Sequence, residues 1–220
     1  MITCCNVICG SLGIMFIFQD QLVMATYMVW AGAFFDFLDG LVARLVKASS
    51  AIGKELDSLA DMITFGALPG FYFYKLIDQH DGLLAYAGFI IIVFSALRLA
   101  KFNVDTRQSE NFIGLPTPAN TIFITSLPFL SEIDLFSFLN DPYVLIILAI
   151  IFSILLVSEI PLLSLKFKDF SWQKNKYRFM LLVFSAVMLI FLGINALSLV
   201  VVLYLVISLF WNLIDKPVVN

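Results

Sequence analysis

The chain has 220 residues, of which 61% are hydrophobic and only 13% are charged, and its formal net charge is −3. A soluble domain carries about 25% charged residues, so this composition excludes an ordinary soluble domain. The apolar residues come in long runs, which indicates an α-helical membrane protein that crosses the bilayer several times.

Eight apolar runs are predicted to form membrane-spanning helices, since a span needs about 20 largely apolar residues. Polar breaks place them at about 2–18, 22–46, 55–77, 83–102, 117–130, 143–163, 178–193 and 196–213. The fifth is short for a span, and we expect it to extend to about residue 136. The predicted fold is an all-α transmembrane bundle: residues 1–163 form a six-helix core, and residues 164–220 add a basic cytoplasmic loop and two C-terminal helices.

The basic residues predict the direction of these helices, because cytoplasmic loops of membrane proteins are rich in Lys and Arg. If the N-terminus is cytoplasmic, every basic residue except Lys75 falls on the inner side. The loop after the sixth span is especially basic, through Lys166, Lys168, Lys174, Lys176 and Arg178. Such a loop would attract anionic lipid headgroups. We therefore expect an integral protein of a bacterial or archaeal cell membrane, with both termini in the cytoplasm.

Four aspartates lie near the cytoplasmic ends of the second and third predicted helices. An α-helix turns about 100° per residue, so Asp36 and Asp39 share one helix face, and Asp57 and Asp61 share another. Two helices joined by a short turn can bring these four carboxylates together. Isolated aspartates in a membrane helix cost about 2.5–3.5 kcal/mol each, so a positive charge must compensate. Carboxylate oxygens favour Mg²⁺, Mn²⁺ or Ca²⁺, and four of them suit two ions that clamp a phosphoryl group.

Small residues accompany the aspartates and allow two interpretations. Gly40, Ala43 and Gly53 leave the helix surfaces bare, so a flat nucleotide could approach the backbone there. Close packing of small residues between helices would explain them equally well. For the charged residues the alternative is a solvated cytoplasmic loop, which we favour for Glu55. The only histidine, His80, is predicted at the opposite face, which argues against a histidine-based catalytic unit beside the aspartates.

Together these residues form the pattern D-x₂-D-G-x₂-A-R-x₈-G-x₃-D-x₃-D, which resembles the signature of the CDP-alcohol phosphotransferases at every fixed position. The matching residues are Asp36, Asp39, Gly40, Ala43, Arg44, Gly53, Asp57 and Asp61. The resemblance implies a helical bundle, two divalent cations and a CDP-linked donor that releases CMP. It implies that Asp36, Asp39 and Asp57 bind the metals, with Asp36 and Asp57 as bridges. Asp61 would contact the second metal and take the proton of the acceptor hydroxyl. Arg44 offers a bidentate fork for phosphate oxygens.

Further stretches resemble the phosphatidylserine synthase branch of that family. They are "ITCCNVICGSLGI" at 2–14, "SALRLAKFNVD" at 95–105 and "NFIGLPTPAN" at 111–120, and the resemblance covers residues 2 to about 130. Asn6 in the first stretch matches an asparagine near the nucleotide site. This branch implies CDP-diacylglycerol and L-serine as substrates, and the family implies a homodimer. We predict no nucleic-acid partner.

The acceptor alcohol needs its own pocket, and serine brings both a carboxylate and an ammonium group. Candidates at the inner ends of the fourth and fifth helices are Arg98, Lys101, Asn103 and Asn120. Arg98 and Lys101 could instead anchor their helix or contact lipid headgroups, and Asn120 could bond between helices. The nearest alternative function uses glycerol 3-phosphate, inositol phosphate or choline at the same site. A cation-coupled transporter is the other alternative, but such proteins often carry internal repeats and carboxylates near the midplane, and neither feature is seen.

Overall fold

The computed structural model describes residues 2–46, 50–79, 82–105, 112–164 and 171–215. Over these ranges the protein is a bundle of helices with one short strand pair, which confirms the predicted fold class. The helices are α1 (Ile2–Phe18), α2 (Leu22–Val46), α3 (Ala51–Asp61), α4 (Leu68–Asp78), α5 (Ile90–Val104), α6 (Thr117–Ser131), α7 (Pro142–Val157), α8 (Trp172–Leu192) and α9 (Leu197–Asp215). Short 3₁₀ helices are found at Leu84–Phe89, Asp134–Asn140 and Gly193–Ala196.

The third predicted span corresponds to α3 and α4, which are joined by the π-helical turn Met62–Ala67. Pro69 explains the turn, because proline has no N–H group and its ring clashes with the carbonyl four residues earlier, here that of Phe65. The chain widens to accommodate it, and the Leu68 N–H donates to Ile63 O, five residues back. The helix begins at Ala51, four residues earlier than predicted, because the Ser50 hydroxyl accepts from the Gly53 N–H at 3.0 Å and caps it.

Two predicted helix ends in the middle of the chain are wrong. The fifth span was expected to reach residue 136, but α6 ends at Ser131 and the chain continues as the 3₁₀ segment Asp134–Asn140. The sixth was expected to reach residue 163, but α7 ends at Val157. Pro161 disfavours helix in the residue before it, and the strand β2 (Pro161–Leu162) pairs antiparallel with β1 (Phe112–Ile113).

The C-terminal helices form an antiparallel hairpin. Leu181 on α8 and Ile207 on α9 pack in one cluster, so the chain folds back between them at the segment Gly193–Ala196. Because α8 already begins at Trp172, Lys176 belongs to a helix and not to the predicted loop. Lys166 and Lys168 lie outside the described residues. The hairpin is held to the core by Ser198, whose hydroxyl donates to Phe123 O of α6 at 3.1 Å.

With α3 and α4 counted together, the helices lie at the eight predicted positions. Some of them are, taken singly, long and apolar enough to cross a membrane. By length and composition these are Leu84–Val104 and Asn175–Ile214, within which the hairpin turn falls. Asp134–Asn140 and Pro142–Val157 make a third if they count as one span, bent by 80°. One end of the bundle carries the aspartates, and at the other end Lys75 pairs with Asp20 at 2.7 Å.

Candidate active site

Three of the four aspartates converge where α2 meets α3. Asp36, Asp57 and Asp61 each place a carboxylate oxygen within 4.8 Å of the others, and all three side chains are half-buried. The carboxyl groups of Asp36 and Asp57 are close enough to share a hydrogen bond. Within the described ranges, no basic side chain forms an ion pair with any of the three. Carboxylates this close repel each other unless a proton or a cation lies between them, so the donor set fits a hard divalent cation.

Asp39, the fourth predicted ligand, lies beside this group and is not part of it. Its Oδ2 accepts a hydrogen bond from Thr3 Oγ1 of α1. Its charge acts on both Asp36 and Asp57, so it remains within electrostatic reach of the cluster. Asp39 and Asp57 also line a cavity of about 550 Å³ between α2 and α3. Asp39 therefore lies at the border between the carboxylate cluster and this larger cavity.

The larger cavity is lined by the small residues that the sequence predicted for a nucleotide. Gly40, Ala43 and Gly53 all face it, together with Lys54 and the apolar side chains of Val42 and Val46. Among the described residues, and apart from the neighbouring residues and backbone of α2 itself, only the Arg44 guanidinium comes within 4 Å of the place where a Cβ on Gly40 would stand. Close packing against another helix therefore does not explain the glycine at position 40. The open surface that Gly40 leaves in the larger cavity explains it.

The two remaining nucleotide candidates, Arg44 and Asn6, do not line this cavity. Arg44 Nε donates to Gly40 O at 2.8 Å, which keeps the guanidinium next to the cavity wall. Asn6 is fully buried, and its Nδ2 donates to Asp61 Oδ1 at 3.3 Å. Its backbone carbonyl accepts from Thr64 Oγ1 at 3.0 Å. The structure therefore places Asn6 against the carboxylate of Asp61.

A second cavity, of about 210 Å³, reaches the same cluster through Asp36 and Asp61. Arg98 also lines it and is only 4% exposed. Its Nε donates to Leu115 O at 3.3 Å, and its guanidinium lies 5.5 Å from the centre of the Phe102 ring. A buried cation thus shares this smaller cavity with two carboxylates. Such a cavity suits a small molecule that carries both a negative and a positive group.

The other three acceptor candidates do not line the smaller cavity. Lys101 Nζ pairs with Glu159 Oε1 at 3.0 Å, in the segment that follows α7. The Asn103 amide donates to Ser58 Oγ at 2.9 Å and so ties α5 to α3. Asn120 is fully buried, and its amide has no hydrogen-bond partner in the described part of the chain.

Several residues near the site were not predicted. Thr3 contacts Asp39, and Thr117 lines the smaller cavity; the sequence signal was their place inside the stretches "ITCC" and "LPTPAN". Tyr204 on α9 lies close enough to interact with the charge of Arg98. His80, predicted at the opposite face, lies outside the described residues.

Comparison with known proteins identifies the class. Residues 1–157 match the family model of the CDP-alcohol phosphatidyltransferases, and the chain belongs to this family. Its relatives include the CDP-diacylglycerol–serine O-phosphatidyltransferase of Helicobacter pylori (strain ATCC 700392 / 26695), 31% identical over 210 residues, which are 94% of this chain and 86% of that protein. The Bacillus subtilis protein of the same name is 35% identical over 133 residues, covering 59% of this chain and 73% of that protein.

A third relative is the archaetidylserine synthase of Methanothermobacter thermautotrophicus, 34% identical over 123 residues, which cover 55% of this chain and 53% of that protein. These matches confirm the family that the aspartate pattern indicated. Family membership and the apolar helices together make the protein an integral membrane enzyme. The transporter alternative has no support in these relatives.

Proposed function

We propose that the protein transfers the phosphatidyl group of CDP-diacylglycerol to the hydroxyl of L-serine, giving phosphatidylserine and CMP. The observation that carries this proposal is the pair of cavities that meet at the aspartates, one lined by Asp39 and Asp57 and the other by Asp36, Asp61 and Arg98. A transferase needs separate places for donor and acceptor with the reacting groups between them. The names of the relatives agree with this substrate pair.

The larger cavity is the proposed site of the CDP group. Gly40, Ala43 and Gly53 present backbone without side chains beyond Cβ, so a nucleotide can lie flat against α2 and α3. Lys54 lines the same cavity, and Arg44 stands next to Gly40, so two cations are near the place where the diphosphate would bind. We propose no direct contact of Asn6 with the nucleotide, since Asn6 is buried against Asp61.

The carboxylates are proposed to hold two divalent cations, Mg²⁺ or Mn²⁺ with Ca²⁺ as a further candidate. Asp36 and Asp57, whose carboxyl groups are in contact, are the proposed shared ligands, and Asp39 and Asp61 complete the set. When bound, such ions neutralise the charge of the diphosphate and make its phosphorus easier to attack. The convergence of three carboxylates, with no ion pair to a basic side chain in the described part of the chain, supports this assignment.

Asp61 is the proposed base. An alcohol has a pKa far above 7, so a nearby group must take its proton as the new bond forms. Asp61 lines the smaller cavity, and Asn6 holds one of its oxygens. The serine oxygen bonds to the phosphatidyl phosphorus, its proton passes to Asp61, and the bond from that phosphorus to CMP breaks.

Arg98 is the proposed partner of the serine carboxylate. It is the basic side chain that lines the smaller cavity, while Lys101 is engaged with Glu159. A phosphorylated acceptor such as glycerol 3-phosphate or inositol phosphate would present two negative charges and favour more than one cation. Choline would bring its positive group toward the guanidinium. The composition of the cavity therefore favours serine.

The arrangement in the membrane is part of the proposal. We place the site and both termini on the cytoplasmic side, with Lys75 and Asp20 at the outer end. Residues 1–163 would form the catalytic core, and residues 164–220 a basic segment and the C-terminal hairpin. The start of α8, where Lys176 Nζ lies 4.7 Å from the centre of the Tyr177 ring, would face anionic headgroups. A homodimer is proposed from the family alone.

One assay tests the reaction directly. Purified protein is incubated with CDP-diacylglycerol, Mn²⁺ or Mg²⁺, and one of several alcohols, and CMP release is measured. We expect release that depends on serine. Release only with glycerol 3-phosphate, inositol phosphate or choline would reassign the acceptor, and no release with any alcohol would contradict the proposed reaction.

A further inference from the structure

The π turn Met62–Ala67 directly follows Asp61, and it fixes how α3 is rotated relative to α4. Each residue adds about 100° of rotation, so one extra residue in the turn changes which face α3 presents. In the observed arrangement Asp57 and Asp61 face Asp36 of α2, while Tyr72 on α4 is buried in the core. A π turn within an α-helix is often found at a functional site. The geometry of the carboxylates therefore depends on this turn.

One backbone carbonyl of the turn, that of Phe65, accepts a hydrogen bond from α6. Phe65 O would normally accept from the N–H four residues later, but that residue is Pro69, which has none. Thr121 Oγ1 on α6 donates to Phe65 O at 3.1 Å. The same hydroxyl lies 2.9 Å from Thr117 O of its own helix, so its hydrogen is shared between the two carbonyls. Thr121 is fully buried, so water does not replace this contact.

The opposite side of the turn is held by α1. Thr64 Oγ1 donates to Asn6 O, and the Asn6 side chain donates to Asp61. Hydrogen bonds therefore hold the turn on two sides. Asn6 of α1 accepts from Thr64, next to Asp61, and Thr121 of α6 donates to Phe65. Thr117, one helical turn before Thr121, lines the smaller cavity together with Asp61. A single helix thus contributes to the cavity wall and to the support of the proposed base.

From these contacts we infer that Thr121 is a positioning residue for Asp61: its hydroxyl holds the π turn in the form that aims Asp61 into the smaller cavity. This inference rests on the proposed function, in which Asp61 receives the proton of the acceptor. Thr121 itself touches neither cavity. Its loss should slow the chemical step without weakening the binding of the CDP-linked donor.

Thr125 provides a matched control. It lies one turn further along α6 and is also fully buried, and the hydrogen bond that its hydroxyl donates among the described residues is to Thr121 O of its own helix, at 2.9 Å. Thr121→Val and Thr125→Val remove the same atom from equivalent environments and keep the side-chain shape. Only the first removes the hydrogen bond from α6 to Phe65 O. A purely structural role for the hydroxyl would affect both variants alike.

The experiment compares serine-dependent CMP release by the full-length protein, Thr121→Val, Thr125→Val and Thr121→Ser, with the thermal unfolding midpoint of each. We expect kcat of Thr121→Val to fall at least tenfold with KM for CDP-diacylglycerol unchanged, because small displacements of a reacting group are costly. Thr125→Val should stay within about twofold of the unmodified protein and Thr121→Ser within about threefold. Equal kcat in the two valine variants, or activity that simply follows the unfolding midpoint, would overturn the inference.

A second pair of variants covers the case in which Thr121→Val does not fold. Thr121→Cys and Thr121→Ser differ only in sulfur for oxygen, and a thiol is a weaker hydrogen-bond donor. We expect the cysteine variant to be at least fivefold slower than the serine variant, and equal rates would overturn the inference. Failure of the proposed function has a different signature, namely no serine-dependent CMP release by the unmodified protein.

Discussion

Replacing Arg98 tests the assignment of the acceptor cavity most directly. Arg98→Met keeps a long side chain of similar volume but removes the charge and the N–H donors. A hydrogen bond to a charged group contributes about 1.5–3 kcal/mol, and about 1.4 kcal/mol corresponds to a factor of ten in binding. Loss of one such bond to the serine carboxylate should therefore raise KM for serine about 10-fold to 150-fold. KM for CDP-diacylglycerol, which binds on the other side of the aspartates, should not change.

The assay measures CMP release while serine and CDP-diacylglycerol are varied in turn. Lys101→Met is the matched control, because Lys101 is one helical turn away and pairs with Glu159. Ethanolamine has the hydroxyl and ammonium of serine but no carboxylate, so its inhibition constant against serine should be equal in the unmodified protein and in Arg98→Met. An equal rise in KM for serine in both methionine variants would refute the reasoning, as would weaker inhibition by ethanolamine in Arg98→Met.

The remaining predictions concern the carboxylates and two glycines. Asp61→Asn should fold and bind Mn²⁺ but lose about 10²–10⁴-fold in turnover; normal CMP release would remove Asp61 from the role of base. Asp57→Ala should lose Mn²⁺ binding and activity together, and tight binding by calorimetry would contradict its role as a shared ligand. In Gly32→Ala the new methyl would meet Thr64 Cγ2 at 2.7 Å, so the unfolding midpoint should fall by an amount equivalent to about 1–3 kcal/mol. Gly40→Val should instead raise KM for CDP-diacylglycerol with an unchanged midpoint, and a normal KM would argue against a nucleotide at α2.

Much of the bundle follows from local sequence. The bounds of α1 and α2 agree with their predicted ranges because the polar residues between the two apolar runs leave little freedom for the turn. Helical rotation also places Asp57 and Asp61 on one face of α3, from which both can reach Asp36. These features depend on residues within one helix or on two helices joined by a short connection.

Features that depend on distant segments were harder to predict. The orientation of Lys101 toward Glu159 requires knowing how α5 packs on the chain after α7. The pairing of β1 with β2 joins two-residue segments that are too short to carry a strand pattern of their own. The π turn is an intermediate case, since Pro69 was a visible signal, but its partner Thr121 is 56 residues away in sequence.

The two valines in the wall of the larger cavity have a consequence for how a lipid would reach this enzyme. Val42 and Val46 place apolar side chains beside Asp39 and Lys54, so the larger cavity has an apolar part as well as a charged part. A donor with two acyl chains can enter sideways from its leaflet, with the tails still among other lipids while the headgroup meets the acids. The product can leave through the same lateral opening, and neither molecule has to expose its acyl chains to water.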